Sequence, residues 1–194
     1  SDYIHVLTEI ERRAYADRAE HLGDIDFWDV PTDKLLSNVY AKTRAKGIDL
    51  THATSSDDVK HGNGPTKESE ETTHYSVVDK EGNAVSVTTT INWGYGNGVT
   101  VTGAGFLLNN EMDDFSAKAR IPNAYGLIGD QAHAIEAGKR PLSSMSPTFI
   151  ETESRVGILG TPGGSRIISM VLLSILDFAD GYLPNSWVSV PRYH

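Results

Sequence analysis

The stretch Thr72-Thr73-His74-Tyr75-Ser76-Val77-Val78-Asp79 decides the fold of this chain. An acidic segment that carries Gly and Pro ends at Glu71, and a run with the composition of a β-strand begins directly after it. A hydroxyl residue therefore stands first in the strand-like run. If the peptide bond between Glu71 and Thr72 is cut, Thr72 gains a free α-amine beside its own Oγ, and that amine can act as its general base. The pattern predicts a nucleophile that cleavage unmasks.

The residues downstream of this stretch predict a β-rich half of the chain. A polar turn at 79–83 leads into a second strand-like run at 84–87, so the two runs form a hairpin. Further strands are predicted at 147–152 and 155–160. The Gly-rich turn at 161–165 then opens an apolar run that is typical of a helix packed against a sheet.

The residues upstream predict helices followed by a tether. Residues 4–22 have the apolar spacing of an amphipathic helix. A second helix is predicted from Thr32 or Asp33 to about residue 46, where Gly47 follows. It would bury Leu35, Leu36, Val39 and Tyr40. From 51 to 71 the residues are polar and rich in Gly, which predicts a mobile tether.

Composition excludes several classes of function. The 194 residues are 39% hydrophobic and 22% charged, as in one ordinary globular domain. A net charge of -9 argues against nucleic acid or an anionic membrane surface as partner, because both need clustered Lys and Arg. No apolar run is long enough to insert into a membrane. A small molecule is therefore the expected partner.

The side chains indicate no cofactor and no metal. The chain has no cysteine, which excludes disulfides, a thiol nucleophile and a thiolate metal site. Its seven histidines lack the paired spacing of metal ligands, and no Gly-rich nucleotide-binding motif is present.

Four motifs in order carry a family resemblance. They are TTHYSVVDKEGNAVSVTTTIN at 72–92, LLNNEMDDFSAK at 107–118, RPLSSMSPT at 140–148 and GTPGGSR at 160–166. With these motifs the chain resembles the γ-glutamyltransferases (γ-glutamyl transpeptidases), which are self-processing N-terminal nucleophile hydrolases. The Ala14-Tyr15-Ala16-Asp17-Arg18 and Leu22-Gly23-Asp24 segments resemble the end of the family's large subunit, so the resemblance covers essentially the whole chain.

The resemblance implies the fold and the organisation of the chain. It implies an α+β fold that is part of a four-layer αββα sandwich of the N-terminal nucleophile hydrolase type. Residues 1–71 would be the C-terminal part of the large subunit, helical and then a flexible tether. Residues 72–194 would be the catalytic part of the small subunit, truncated at its C-terminus. The remainder of the large subunit is then an expected partner, and layers outside this chain predict exposed apolar surface. The family also implies a periplasmic or secreted location.

Catalytic roles follow from the resemblance. Thr72 would cleave the bond that precedes it and then form a γ-glutamyl ester through Oγ. Thr88 and Thr90 share one face of the second strand, and the resemblance selects Thr90 as the residue whose hydroxyl hydrogen-bonds the nucleophile. An acyl transfer needs two donors for the developing oxyanion, and a Gly-rich turn that opens a helix supplies them. In the resemblance these donors belong to Gly163 and Gly164.

Substrate contacts are also implied. The γ-glutamyl donor, such as glutathione, carries an α-ammonium and an α-carboxylate. Glu111 and Asp114, with Asn92 as a further contact, match the positions that bind the ammonium. Ser143 and Ser144 match the serine pair that donates hydroxyls to the carboxylate.

Tyr125 matches a lid tyrosine in some bacterial members, where it bonds the residue equivalent to Asn92. It lies in the polar segment 117–139, which is predicted to cover a cleft. An Arg that family members supply from the large subunit to the donor carboxylate has no matching motif in this chain.

Two alternatives remain open at the level of sequence. A related acylase that acts on cephalosporin side chains or poly-γ-glutamate would share the nucleophile and the oxyanion turn. An unprocessed structural or binding module would keep Thr72 in an intact peptide bond. If the chain is a γ-glutamyltransferase, as the resemblance implies, the acceptor is water or an amino acid.

Overall fold

The computed structural model describes residues 2–56, 58–59, 71–116, 131–189 and 191–193. These residues combine helices and antiparallel strands, so the α+β class is confirmed. They form two compact units, one of Ser1–Lys67 with Met112–Leu142 and one of Glu68–Glu111 with Ser143–His194. We call them the helical unit and the hairpin unit. The predicted subunit junction between residues 71 and 72 stays a prediction.

Three helices form the helical unit's first part: α1 (Asp2–His21), α2 (Thr32–Leu35) and α3 (Asn38–Ala45). The predicted helix at 4–22 is confirmed by α1. Among the described helices of the chain, none combines the length and the hydropathy that a bilayer crossing requires.

The second predicted helix is wrong as a single element. Ser37 has extended backbone and its Oγ accepts a hydrogen bond from the Tyr40 N–H at 3.1 Å, which starts a new helix there. The predicted burial is also wrong for Leu36 and Val39, which are 81% and 77% exposed. A capping hydroxyl within the apolar pattern therefore outweighs the periodicity.

The first residues of the predicted tether are held in place. Thr54 donates to Glu9 through its N–H at 3.1 Å and its hydroxyl at 2.5 Å, and Arg12 donates to the Thr54 carbonyl at 2.8 Å. A buried carboxylate on α1 thus binds this part of the segment, and the tether stays a prediction. Residues 57 and 60–70 lie outside the described residues.

The second part of the helical unit is the segment Met112–Leu142. A short 3-10 helix (Glu111–Asp114) lies where the chain passes from the hairpin unit to the helical unit, and a second one spans Gln131–His133. His133 Nε2 lies 2.7 Å from the Leu22 carbonyl, which ties the second one to the end of α1. The buried side chains here include Phe115 and Ala132.

The hairpin unit contains two antiparallel hairpins and two helices. They are β1 (Thr73–Val78) with β2 (Ala84–Thr89), β3 (Thr148–Glu151) with β4 (Val156–Leu159), α4 (Arg166–Ala179) and α5 (Pro184–Ser189). All four strands and α4 confirm the sequence predictions, whereas α5 was not predicted. Outside these strands, Thr100 and Leu107 form one antiparallel bridge.

The core of this unit lies between β4 and α4. Leu159, Ile167 and Val171 are buried together. Side chains that pack against them are Met145, Ile150, Ile175 and Trp187. Apolar residues of α4 thus cover the β3–β4 hairpin. The turn between β4 and α4 is held on both sides, because Leu159 before it and Ile167 after it lie in the same core.

Candidate active site

The β1–β2 hairpin has one polar and one apolar face. Its register pairs His74 with Thr88 and Ser76 with Ser86, and alternate residues of a strand share a face. On the polar face, His74 Nδ1 lies 2.8 Å from Thr88 Oγ1. On the opposite face, Tyr75 and Val77 are 49% and 53% exposed.

Thr72 and Thr90 stand at the open end of the polar face. The last register pair is Thr73 with Thr89, and one further step in the same register puts Thr72 opposite Thr90. Both residues are half-buried and directly flank the strands. Thr72 shares a face with His74, two residues on. The hairpin therefore brings the predicted nucleophile and its predicted partner together.

The loop after Thr90 is held by Asn92. The Asn92 N–H donates to Thr90 Oγ1 at 2.9 Å, and its side-chain amide donates to the Asn110 carbonyl at 3.1 Å. Asn92 is 4% exposed and has a φ of 78°, a left-handed conformation that Asn tolerates better than most residues. Asn110 also accepts from the Trp93 N–H at 3.0 Å. These bonds join the Thr90 loop to the segment that carries Glu111.

The turn before α4 has the conformation that only glycine adopts readily. Gly163 and Gly164 have φ angles of 133° and 57°. Their carbonyls accept from the Arg166 and Ile167 N–H groups at 3.1 and 3.2 Å, so the pair opens the helix. Within the part of the chain that the structure describes, neither glycine N–H donates to a backbone carbonyl. Two successive donors at such a turn can serve an oxyanion.

His74 joins the strand of Thr72 to this turn. A Cβ added to Gly160 would lie 2.3 Å from His74 Nδ1 and 2.4 Å from Cε1, so the ring rests on the Gly160 backbone. Ser86 Oγ donates to the Leu159 carbonyl at 3.3 Å, which adds a second link between the hairpins. Burial lowers the His74 pKa. Sequence reasoning considered this residue only as a metal ligand, although its position two residues after Thr72 was a signal.

The serine pair lies before β3. Ser143 is exposed, and its Oγ accepts from the Met145 N–H at 3.0 Å. The Ser144 carbonyl accepts from Ser146 Oγ at 3.0 Å. Met145 packs against the core of the hairpin unit, and this anchors the pair.

Asp114 belongs to the helical unit, whereas Glu111 belongs to the hairpin unit. Burial lowers the pKa of the Arg18 guanidinium, and the charges of Tyr15 and Asp114 act in the opposite direction. Arg18 is thus a charged neighbour of Asp114 that sequence reasoning did not single out.

Tyr125 lies outside the described residues. In the described ranges no cluster of three or more His, Asp or Glu side chains is placed to hold a metal ion.

Comparison with known proteins identifies the family. The family model for gamma-glutamyltranspeptidase matches residues 1–194. The chain belongs to the gamma-glutamyltranspeptidase family. A glutathione hydrolase proenzyme of Pseudomonas aeruginosa is 48% identical over 194 residues, which are 99% of this chain and 34% of the relative. One of Escherichia coli is 47% identical over 196 residues, with 100% and 34% covered.

A solved member of the family has a similar structure. An acivicin-inhibited gamma-glutamyltranspeptidase superimposes with a TM-score of 0.59 at 58% identity, over 63% of this chain and 66% of that one. Its C-terminus is described as critical for autoprocessing and catalysis. Our chain spans about a third of the length of the curated relatives that it matches.

Proposed function

We propose that this chain carries the nucleophile of an enzyme that transfers the γ-glutamyl group of glutathione, or of a related amide, to water or an amino acid. The observation that carries the proposal is the hairpin register, whose last pair, Thr73 with Thr89, leaves Thr72 and Thr90 directly beside the two strand ends at the same end of the polar face. The relatives at 47–48% identity are named glutathione hydrolases, and this supports the substrate class.

Maturation is the first step of the proposed reaction. Thr72 Oγ attacks the carbonyl carbon of Glu71, the C–N bond breaks, and the hydroxyl proton ends on the released α-amine. Water then hydrolyses the ester, which leaves a Glu71 carboxylate and restores the Thr72 hydroxyl. The curated relatives are named proenzymes, in keeping with such a step.

Transfer uses the same oxygen. The free Thr72 amine takes the proton of Oγ while Oγ attacks the γ-carbonyl of the donor, and the proton then passes to the leaving amine. The Gly163 and Gly164 N–H groups stabilise the oxyanion, and Thr90 Oγ1 orients the nucleophile. Water or an amino acid attacks the resulting ester and regenerates Thr72. No cofactor takes part in these steps.

Recognition of the donor falls to residues around this centre. Glu111 and Asp114, with Asn92, bind the α-ammonium, while Ser143 and Ser144 bind the α-carboxylate. The fixed Asn92–Asn110 bond supports this role, because it holds the Thr90 loop next to the Glu111 segment. Tyr125 acts as a lid in this proposal.

The proposed architecture is the four-layer αββα sandwich. The apolar face of β1–β2 supports it, since Tyr75, Val77 and Val85 are about half exposed and a covering layer would bury them. The rest of the large subunit supplies that cover, and the enzyme works in the periplasm or is secreted. The acylase alternative is not favoured, because the relatives at 47–48% identity are glutathione hydrolases.

Intact mass of the full-length protein under denaturing conditions tests the proposal. We expect two pieces that meet at the Glu71–Thr72 bond, and release of glutamate from glutathione by the processed protein. Thr72→Ala should leave one uncut chain without turnover. Thr73→Ala is the matched control, because Thr73 is exposed and lies on the opposite face of the strand. Cleavage at the same bond in Thr72→Ala would contradict the mechanism.

A further inference from the structure

On the polar face of the β1–β2 hairpin, the His74 side chain contacts the backbone that directly follows β4, at Gly160. Its Nδ1 lies 2.8 Å from Thr88 Oγ1, and its Nε2 lies 3.3 Å from Ser76 Oγ. The same ring occupies the space that a side chain at Gly160 would need, with ring atoms between 2.3 and 2.9 Å from an added Cβ. The ring is therefore fixed by hydroxyls on its own hairpin and by backbone on the other.

The contact between His74 and Gly160 lies close in sequence to both groups that the proposed reaction needs. His74 is two residues after Thr72 on the same strand face, and Gly160 is three residues before Gly163. Strand residues two apart share a face, so the two ends of the contact lead directly to the nucleophile and to the oxyanion turn. Catalysis of acyl transfer requires these two groups to be placed relative to each other within a fraction of an ångström.

We propose that His74 is a positioning residue, which holds the nucleophile strand against the β4–α4 turn through Gly160 and thereby sets the distance between Thr72 Oγ and the oxyanion donors. This inference rests on the proposed function. It also explains why glycine occupies position 160, where no positive φ requires one. Thr88 keeps the ring in register on its own strand.

The chemistry of the imidazole suits this role. A neutral ring has one donor nitrogen and one acceptor nitrogen, and a hydroxyl can take either role, so both ring nitrogens can be satisfied by Thr88 and Ser76. Burial lowers the pKa of His74 and so favours this neutral form. A flat, neutral ring can pack on a glycine backbone without bringing a charge next to the oxyanion turn.

The test is a double-mutant cycle in the full-length protein between positions 74 and 160. Gly160→Ala forces the ring away and should reduce kcat for a γ-glutamyl donor by roughly tenfold to a hundredfold, the order of loss that a displacement of about 1 Å causes. His74→Ala should reduce kcat to a similar extent. In the His74→Ala background, Gly160→Ala should cause little further loss, because the added methyl group then fills vacated space.

Three further variants separate positioning from general stability. His74→Asn keeps an amide near the Nδ1 position, so it should retain the bond to Thr88 and recover part of the kcat. Thr88→Ala should lower kcat, whereas Thr89→Ala, on the exposed opposite face of the same strand, should not. In all variants we expect KM to stay close to that of the unmodified protein, since the donor contacts are unchanged.

The outcomes are distinct. Additive losses from Gly160→Ala and His74→Ala would overturn the inference, as would unchanged kcat in both single variants or a loss that follows thermal stability alone. Thermal unfolding of each variant supplies the last comparison. If the unmodified full-length protein neither cleaves at Glu71–Thr72 nor releases glutamate, the proposed function fails and this inference falls with it. If the unmodified protein does both and the cycle shows no coupling, only the inference fails.

Discussion

The buried Asp24 carboxylate accepts three hydrogen bonds from Arg140, from the backbone N–H at 2.8 Å, from Nε at 3.0 Å and from Nη2 at 2.5 Å. The Asp24 side chain is 1% exposed, whereas that of Arg140 is 64% exposed. The pair joins the end of the Leu22-Gly23-Asp24 segment to the start of the RPLSSMSPT motif, 116 residues apart. A charge-assisted fork of this kind fixes geometry as well as adding stability.

Replacement of Asp24 by Asn should lower the midpoint of thermal unfolding by several degrees at neutral pH. The hydrogen bonds from Arg140 hold the pKa of Asp24 far below its usual range. A depressed folded pKa means that the ionised carboxylate stabilises the fold above the unfolded pKa, about 3.9, and that this stability is lost as the pH falls below it. The difference between Asp24→Asn and the unmodified protein should therefore shrink in acid, which unfolding curves at several pH values will measure.

Asp26→Asn is the matched control. Asp26 also accepts from Arg140 Nη2, but its side chain is 70% exposed. Exposed ion pairs contribute little, so this variant should change the midpoint only slightly. An equal loss in the two variants would mean that the burial of Asp24 does not matter.

Replacement of Glu9 by Gln should release the segment after Gly47 from α1. Glu9 is 1% exposed and accepts from Arg13 Nη1 at 2.6 Å and from Thr54 through two donors. Burial alone raises the Glu9 pKa, but the hydrogen bonds from Thr54 and Arg13 outweigh it and hold the pKa at about 2. Removal of one partner of a buried ion pair costs on the order of 3 kcal/mol. Hydrogen exchange at residues 51–56 should accelerate together with a lower unfolding midpoint.

Glu20→Gln, at an exposed position of the same helix, serves as control and should affect neither measurement. The stability difference for Glu9→Gln should persist at pH 5 and disappear as the pH falls from 4.5 towards 2. Unchanged exchange at residues 51–56 would show that Glu9 does not anchor this segment.

Elements with a strong local pattern were predictable from sequence. The helix α1, both hairpins and α4 follow from apolar periodicity and turn residues over short windows. The break between α2 and α3 was missed, because the apolar spacing of Leu35, Leu36 and Val39 suggests one helix. Ser37 was the available signal, since a serine hydroxyl competes for the backbone of the next turn.

The site was predictable where its residues are joined by local structure. Thr72 and Thr90 flank the same end of the hairpin because a five-residue turn fixes its register. The contact between His74 and Gly160 was not predictable, because it depends on how two hairpins pack across 86 positions of chain. The same holds for Asp24 and Arg140, whose partner choice only the tertiary fold decides.

Gly163→Ala should impair the oxyanion turn. The residue has a φ of 133°, and an added Cβ would lie 2.5 Å from the Met170 Cε. Displacement of one oxyanion donor costs roughly a hundredfold in kcat. Gly98→Ala is the control for backbone strain, since Gly98 has a φ of 78° and nothing lies within 4 Å of the added Cβ. It should cost about 1 kcal/mol of stability and leave kcat unchanged. A kcat for Gly163→Ala as high as that of Gly98→Ala would remove this turn from the mechanism.

Asp114→Ala should discriminate between donors. If Asp114 binds the α-ammonium, its loss weakens binding of a γ-glutamyl donor by roughly 2 to 5 kcal/mol, because the bound substrate cation is left without its counter-charge. A donor that lacks the α-amino group has no such charge and should be affected far less. Steady-state kinetics with both donors will measure the ratio. Asp113→Ala, at the exposed neighbouring position, is the matched control and should alter neither donor. Equal losses for the two donors would show that Asp114 supports the fold around the buried Arg18 rather than the ammonium.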